Sequence, residues 1–306
     1  MLRYSAFMTI TQFNRIVEIR TKVISMGTFL CGSLYAAVVT GSWSVSRFIV
    51  MAFAVLFVDM GTTGFNSYFD YVSGTDKKEL NYERDKVLVH EGVNPKFALF
   101  ISLTLFGGAA ILGLILAWWT SFYLVVVGAI CMGVGFIYTG GPYPISRTPF
   151  GELFAGGFLG TVLFGISYYV QSLTVDWQSI WVSIPHLILI GMILTVNNTC
   201  DRKADKIAGR KTLSIVLSEK SIFNLMRSMV LISFTLPILY AYLEMVPLTT
   251  VPCMIIASIP AWSIYQQMEK RGFSLETKGI SMGSVSKIFL SYCIAFLAGM
   301  IGGLLV

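Results

Sequence analysis

The chain has 306 residues, of which 55% are hydrophobic and 12% charged, and its mean hydropathy is +0.74. That balance excludes an ordinary soluble domain and points to a polytopic membrane protein. The formal net charge of +6 reads as a topology signal with an added pull on anionic lipid or substrate, and gives no reason to invoke nucleic acid.

The first 22 residues are polar and amphipathic, and no cleavage pattern follows the first apolar run, so that run is expected to stay as an anchor. About nine apolar stretches follow, each near the roughly 20 residues needed to cross hydrocarbon. They cover 23–41, 48–67, 96–119, 121–139, 151–170, 180–199, 222–242, 247–266 and 284–305. None alternates as a barrel strand would, so the expected fold is an all-α polytopic bundle. Trp118-Trp119-Thr120-Ser121 reads as a short interfacial turn between the third and fourth spans. Pro185, Pro237 and Pro260 fall inside spans, where neighbouring helices can satisfy the backbone groups they free.

Basic residues collect on one side. The N-terminus and the loops after spans two, four, six and eight hold nearly all the lysines and arginines, while the opposite side holds Arg47 alone. The asymmetry predicts that the N-terminus is cytoplasmic and the C-terminus outside. Cys31, Cys131, Cys200, Cys253 and Cys293 are scattered without a C-x-x-C pair and read as small apolar filler. His90 and His186 stand alone, without metal-ligand spacing.

Two acidic clusters mark the places where long apolar segments meet charged loops. Asn66-Ser67-Tyr68-Phe69-Asp70 runs on to Asp76, and Asn197-Asn198-Thr199-Cys200-Asp201 runs on to Asp205. Asn-to-Asp spacing is the same in both, as in a weak internal repeat. Residues four apart share a helix face, so Asn66 with Asp70, and Asp201 with Asp205, present oxygens in one direction. Carboxylates are costly near hydrocarbon, and hard divalent cations, Mg²⁺ above all, are held by a few carboxylates, water and substrate phosphate. A diphosphate is the natural bridge. Lys77 and Lys78 after the first cluster, and Arg202, Lys203, Lys206, Arg210 and Lys211 around the second, complement phosphate oxygens.

NSYFDYVSGTD and NNTCDRKADKIAGRKTL resemble the two aspartate-rich motifs of the UbiA-type intramembrane prenyltransferases. YTGGPYPISRTPFGE, residues 138–152, is similar to the branch that prenylates 1,4-dihydroxy-2-naphthoate in menaquinone biosynthesis. The resemblance runs over nearly the full chain and implies one transmembrane domain, 1–306, a nine-helix bundle open laterally to lipid. It implies Mg²⁺ bound by Asp70, Asp76, Asp201 and Asp205, with the head of an allylic polyprenyl diphosphate in a polar cavity and Asn66 among the first-motif residues. The first motif departs from the commonest family form, since Asp76 lies six rather than four residues beyond Asp70.

On that reading, charge neutralisation of the leaving diphosphate frees a prenyl cation that an electron-rich ring attacks. Tyr68, Phe69 and Tyr138 are candidates for an aromatic wall beside it. Substrate contacts are expected from Asn66, Asn197, Asn198, Lys77, Arg202 and Lys211, with Lys22 and Arg147 meeting the acceptor's carboxylate; Glu152 is a candidate to orient a base or lysine. Loops 71–95 and 200–221 are expected to form amphipathic caps that exclude water, Gly92 and Pro95 ending one of them. Two other readings stay open: a family member with another acceptor, such as 4-hydroxybenzoate, homogentisate, a porphyrin or a glycerol phosphate, and an ion-coupled transporter with the aspartates as its ion site.

Overall fold

The computed structural model describes residues 8–74 and 86–305, and every described element is helical. Nine long helices lie among the described residues. They are α1 (Val23–Thr40), α2 (Val45–Val72), α3 (Pro95–Trp119), α4 (Tyr123–Ile137), α5 (Gly151–Ser172), α6 (Trp177–Cys200), α7 (Glu219–Tyr242), α8 (Thr250–Arg271) and α9 (Lys278–Leu305). Each falls on one of the nine apolar runs. Seven are both long and apolar enough to cross a membrane; α4 is an apolar helix of 15 residues, and α8, which closes on Gln266-Gln267-Met268-Glu269-Lys270-Arg271, stands outside the seven. Local signals set the helix starts: Asn94 caps α3 by accepting from the Lys96 amide at 3.0 Å with Pro95 in its first turn, and Asp176 caps α6 by accepting from the Gln178 amide at 3.0 Å.

The chain divides into two compact units, Met1–Val23 with Ile49–Thr148, and Ile24–Phe48 with Pro149–Val306. In the first, small residues let α2 approach α3: a Cβ on Gly61 would sit 2.5 Å from Phe106 Cδ1, and one on Gly64 would meet Ser102 Oγ. The N-terminal helix Ile10–Ile16 is held by Glu91, which takes Arg15 Nη1 at 2.5 Å and Gln12 Nε2 at 2.9 Å. Ile16 and Val17 join Met60, Val87, Leu88, Val93 and Ala98 in its core.

The second unit has the larger core, running from Cys31 and Tyr35 in α1 through Phe164, Leu189, Met192 and Tyr265 to Phe289, Tyr292 and Phe296 in α9. Tyrosine hydroxyls donate across it to backbone carbonyls, Tyr35 to Met245 at 3.2 Å and Tyr265 to Phe223 at 2.9 Å. Gly157–Val162 in α5 makes a π-helical turn. There Gly160 lies against α6, where a Cβ would fall 2.5 Å from the Leu187 nitrogen. Pro185, Pro237 and Pro260 lie inside α6, α7 and α8 as expected.

Candidate active site

In the first unit the motif occupies the last turns of α2. Val72 ends the helix and Gly74 follows with φ +69°, so the glycine stops it as its position suggests. Asp76 and Lys77 lie outside the described residues. The Tyr-Thr-Gly-Gly segment packs back on this end for two reasons. A Cβ on Gly140 would stand 2.7 Å from the Phe69 ring and 2.8 Å from the Phe136 carbonyl, while Gly141 takes φ +85°, a conformation glycine adopts without cost. This turn brings the buried Thr139 hydroxyl to donate to Asn66 Oδ1. Tyr138 caps α4, its carbonyl accepting from the Ser146 amide at 2.9 Å, and Arg147 closes the short 3₁₀ turn Ile145–Arg147; both are half-buried, as is Asp70. Phe69 stacks on Phe65 and meets Phe136 edge-on, and Tyr68 packs against Phe69.

Lys22 is buried at 3% exposure and donates to Asp59 Oδ1 at 2.7 Å and Thr63 Oγ1 at 2.6 Å, seven and three residues before Asn66 in α2. Asp59 is an intramembrane carboxylate that the hydropathy reading passes over. An isolated charge there is costly, and a lysine-hydroxyl partnership offsets it.

In the second unit the motif lies where α6 ends. Cys200 is its last residue, Asp201 turns the chain, and the short helix Arg202–Ile207 follows, with the Asp205 amide donating to the Asp201 carbonyl at 2.8 Å. Lys278, at the start of α9, donates to Asp201 Oδ2 at 2.6 Å. Asn198 Nδ2 donates to Glu152 Oε1 at 2.8 Å, both side chains buried; Asn197 is half-buried, and its carbonyl accepts from the Asp201 amide at 3.1 Å. Gly209, with φ +71°, lets the chain reverse so that Arg210 donates from its amide to the Asp205 carbonyl and from Nη1 to Asp205 Oδ1, both at 3.0 Å. Arg210 is also an electrostatic neighbour of Glu152, and Asp201 and Lys278 are neighbours of Asp205. Arg202 Nη2 donates to the Leu217 carbonyl at 3.0 Å, fastening the loop, which also carries the helical turn Leu213–Val216. Lys211 is exposed.

Two carboxylate oxygens here, Asp205 Oδ2 and Glu152 Oε2, are buried without a hydrogen-bond partner among the described residues. Burial pushes the Asp205 carboxyl up to about 6, with the Asp201 charge adding to it and Arg210 pulling the other way. Hard oxygen donors left over in a buried cluster fit a small divalent cation such as Mg²⁺. Lys278 as the partner of Asp201 and Glu152 as the partner of Asn198 are contacts the sequence motifs do not announce.

The UbiA prenyltransferase family model matches residues 25–278. The chain belongs to the UbiA prenyltransferase family. Among UbiA relatives, it is 39% identical over 179 residues to a 1,4-dihydroxy-2-naphthoate octaprenyltransferase of Bacillus subtilis (strain 168), a match covering 58% of this chain and 57% of that protein. It is 31% identical over 193 residues to the protein of the same name in Mycobacterium tuberculosis (strain ATCC 25618 / H37Rv), covering 63% of each. The chain thus spans about three fifths of the length of the curated relatives it matches. Its fold is that of a UbiA homolog from Archaeoglobus fulgidus bound to GPP and Mg²⁺, with a TM-score of 0.66, 13% identity and coverage of 94% and 99% of the two chains. Family membership and the seven long apolar helices make it an integral membrane protein.

Proposed function

We propose that this chain transfers a polyprenyl group from an allylic polyprenyl diphosphate to 1,4-dihydroxy-2-naphthoate, with loss of carbon dioxide, to give demethylmenaquinol. The names of the two bacterial relatives and the resemblance of residues 138–152 support the acceptor. The observation that carries the reading is the polar end of α6, where Glu152, Asp201 and Asp205 gather with Lys278 and Arg210 and two carboxylate oxygens are buried without a donor among the described residues. Bound Mg²⁺ supplies positive charge that stabilises the departing diphosphate.

The chain's own residues do the rest. Asp201 and Asp205 would hold the ion; the metal role of Asp70 and Asp76 is supported by the resemblance of their motif. Arg202, Lys211 and Lys77 donate to phosphate oxygens, and Asn66, Asn197 and Asn198 orient the polar head. The allylic carbon–oxygen bond breaks with its electron pair on the diphosphate. The ring carbon that bears the carboxylate forms the new carbon–carbon bond, and the carboxylate leaves as carbon dioxide, returning its pair to the ring. Arg147 meets that carboxylate, Lys22 is second in line because Asp59 already holds it, and the Tyr138 ring faces the allylic cation. Residues 200–221 shield the cation from water, together with 71–95, of which 75–85 lie outside the described residues. The N-terminus faces the cytoplasm of a bacterial cell, where the basic loops lie.

The test is turnover of purified protein with a polyprenyl diphosphate, Mg²⁺ and a panel of aromatic acceptors. Dihydroxynaphthoate is expected to release one carbon dioxide per prenyl group transferred, and a chelator to stop it. Turnover with 4-hydroxybenzoate or homogentisate and none with dihydroxynaphthoate overturns the acceptor; uptake into liposomes without turnover overturns the reaction.

A further inference from the structure

Away from the aspartate motifs, the middle of the second unit contains three metal-binding side chains from distant parts of the chain: Cys31 of α1, His186 of α6 and Cys293 of α9. All three are buried, with 0%, 0% and 2% exposure. Their sulfur and nitrogen donor atoms lie within 4.8 Å of one another. Cys293 reaches the group because α1 has Gly27 opposite it, where a Cβ would stand 3.2 Å from its sulfur.

The histidine needs a physical account. Both ring nitrogens are buried with no hydrogen-bond partner among the described residues. Its surroundings are rings: Phe164, Tyr292 and Phe296 have centroids 5.1, 5.0 and 5.8 Å away. An imidazole with an unmet donor and an unmet acceptor bears the desolvation cost of both groups with no hydrogen bond to offset it. A phenylalanine would fill the same space without that cost. Imidazole is therefore the wrong side chain for packing and the right one for a ligand.

We propose that Cys31, His186 and Cys293 form a membrane-buried site for one soft metal ion of the Cu(I) type, tying α1, α6 and α9 together. Sulfur and imidazole donors select soft or borderline ions and reject Mg²⁺ and Ca²⁺. No further His, Cys, Asp or Glu joins the three among the described residues. A structural zinc site asks for four ligands, whereas a monovalent d¹⁰ ion is satisfied by three. One thiol proton leaves as the ion enters, so the loaded site of one thiolate, one thiol and neutral imidazole has no net charge, as its apolar surroundings demand. In the metal-free protein the Cys31 thiol lies 4.0 Å from the Cys293 carbonyl, a weak contact it can give up. The site is separate from prenyl transfer and does not depend on it.

The full chain in detergent, reduced and with Cys131, Cys200 and Cys253 replaced by serine, is titrated with Cu(I) against a chromophoric Cu(I) chelator under argon. A single equivalent is expected to resist the chelator, and X-ray absorption to show two sulfurs and one imidazole around it. His186→Phe and Cys31→Ser in that background are expected to lose the equivalent while keeping the parent's size-exclusion profile. If neither variant folds, the absorption spectrum of the parent decides alone. The proposal is overturned if the chelator strips all the copper, if His186→Phe keeps it, if the spectrum lacks either sulfur or imidazole, if Zn(II) displaces Cu(I) at equal concentration, or if Cys31 and Cys293 are found joined as a disulfide that admits no metal.

Discussion

Along α2, Thr139 donates to Asn66 near the helix end, and further back Lys22 is met by Asp59 and Thr63. At the end of α6 three carboxylates, Glu152, Asp201 and Asp205, meet Asn198, Lys278 and Arg210, and among the described residues two acceptor oxygens are left over. Both regions begin from the same Asn-to-Asp spacing. The difference shows that a repeated motif sets where polar groups stand, while the neighbours supplied by the rest of the chain decide how far each is answered within the protein. The second end leaves two oxygens for an outside cation.

The strongest way to break this comparison is to remove one carboxylate from each motif. Asp70→Ala and Asp201→Ala are each expected to lower turnover on the order of 10³-fold or more, the equivalent of several kcal/mol of charge stabilisation, with the protein still folded in detergent. Near-normal rates at saturating Mg²⁺ in either variant would end the assignment of that motif. Lys22→Met probes the first of the two regions by removing the cation paired with the half-buried Asp59, and is expected to cost about 3 kcal/mol of stability, read as a lower melting temperature in detergent. An unchanged melting temperature would mean that Asp59 has other means of support.

Glu152→Gln keeps the acceptor for Asn198 and removes a charge from the cation-seeking end. Turnover is expected to fall about 10–100-fold, with more Mg²⁺ needed for half-saturation, as for a group that orients a metal ligand. A fall in turnover with no change in Mg²⁺ dependence would separate Glu152 from the metal. The smallest effect is expected from Lys278→Met, which removes the cation that shares Asp201 with any metal. Half-saturation is expected at about five-fold lower Mg²⁺, on the order of 1 kcal/mol; a shift to higher Mg²⁺ would show that Lys278 positions Asp201 rather than competing for it.

Hydropathy alone located the helices closely, because the bilayer imposes a length on every apolar run. Its misses have a common cause. α9 begins at Lys278, six residues ahead of the run at 284, and α2 continues to Val72, five residues past its run, because helices extend beyond hydrocarbon on polar residues that a hydropathy window rejects. The motifs identified the family and the helix ends that carry the aspartates. Their partners were not legible: Glu152 meets Asn198 across 46 positions and Lys278 meets Asp201 across 77, and such pairings follow from helix packing, not from local spacing. Cys31, His186 and Cys293 are the extreme case. Each is unremarkable in its own segment, and only the packing of α1, α6 and α9 gathers them.

The π-helical turn of α5 carries a further consequence. Glu152 precedes it and meets Asn198, while Phe164 follows it and packs on His186, and both partners belong to α6. In an unbroken α-helix, residues twelve apart would point about 120° away from each other; one extra residue absorbed in a wide turn reduces that to about 20°. The wide turn thus keeps an acidic group and an aromatic ring aimed at the same neighbouring rod; excising one position between 157 and 162 would close it into a regular helix with the two groups eleven apart and still on one face, whereas tightening the turn without shortening the chain would rotate one of them away.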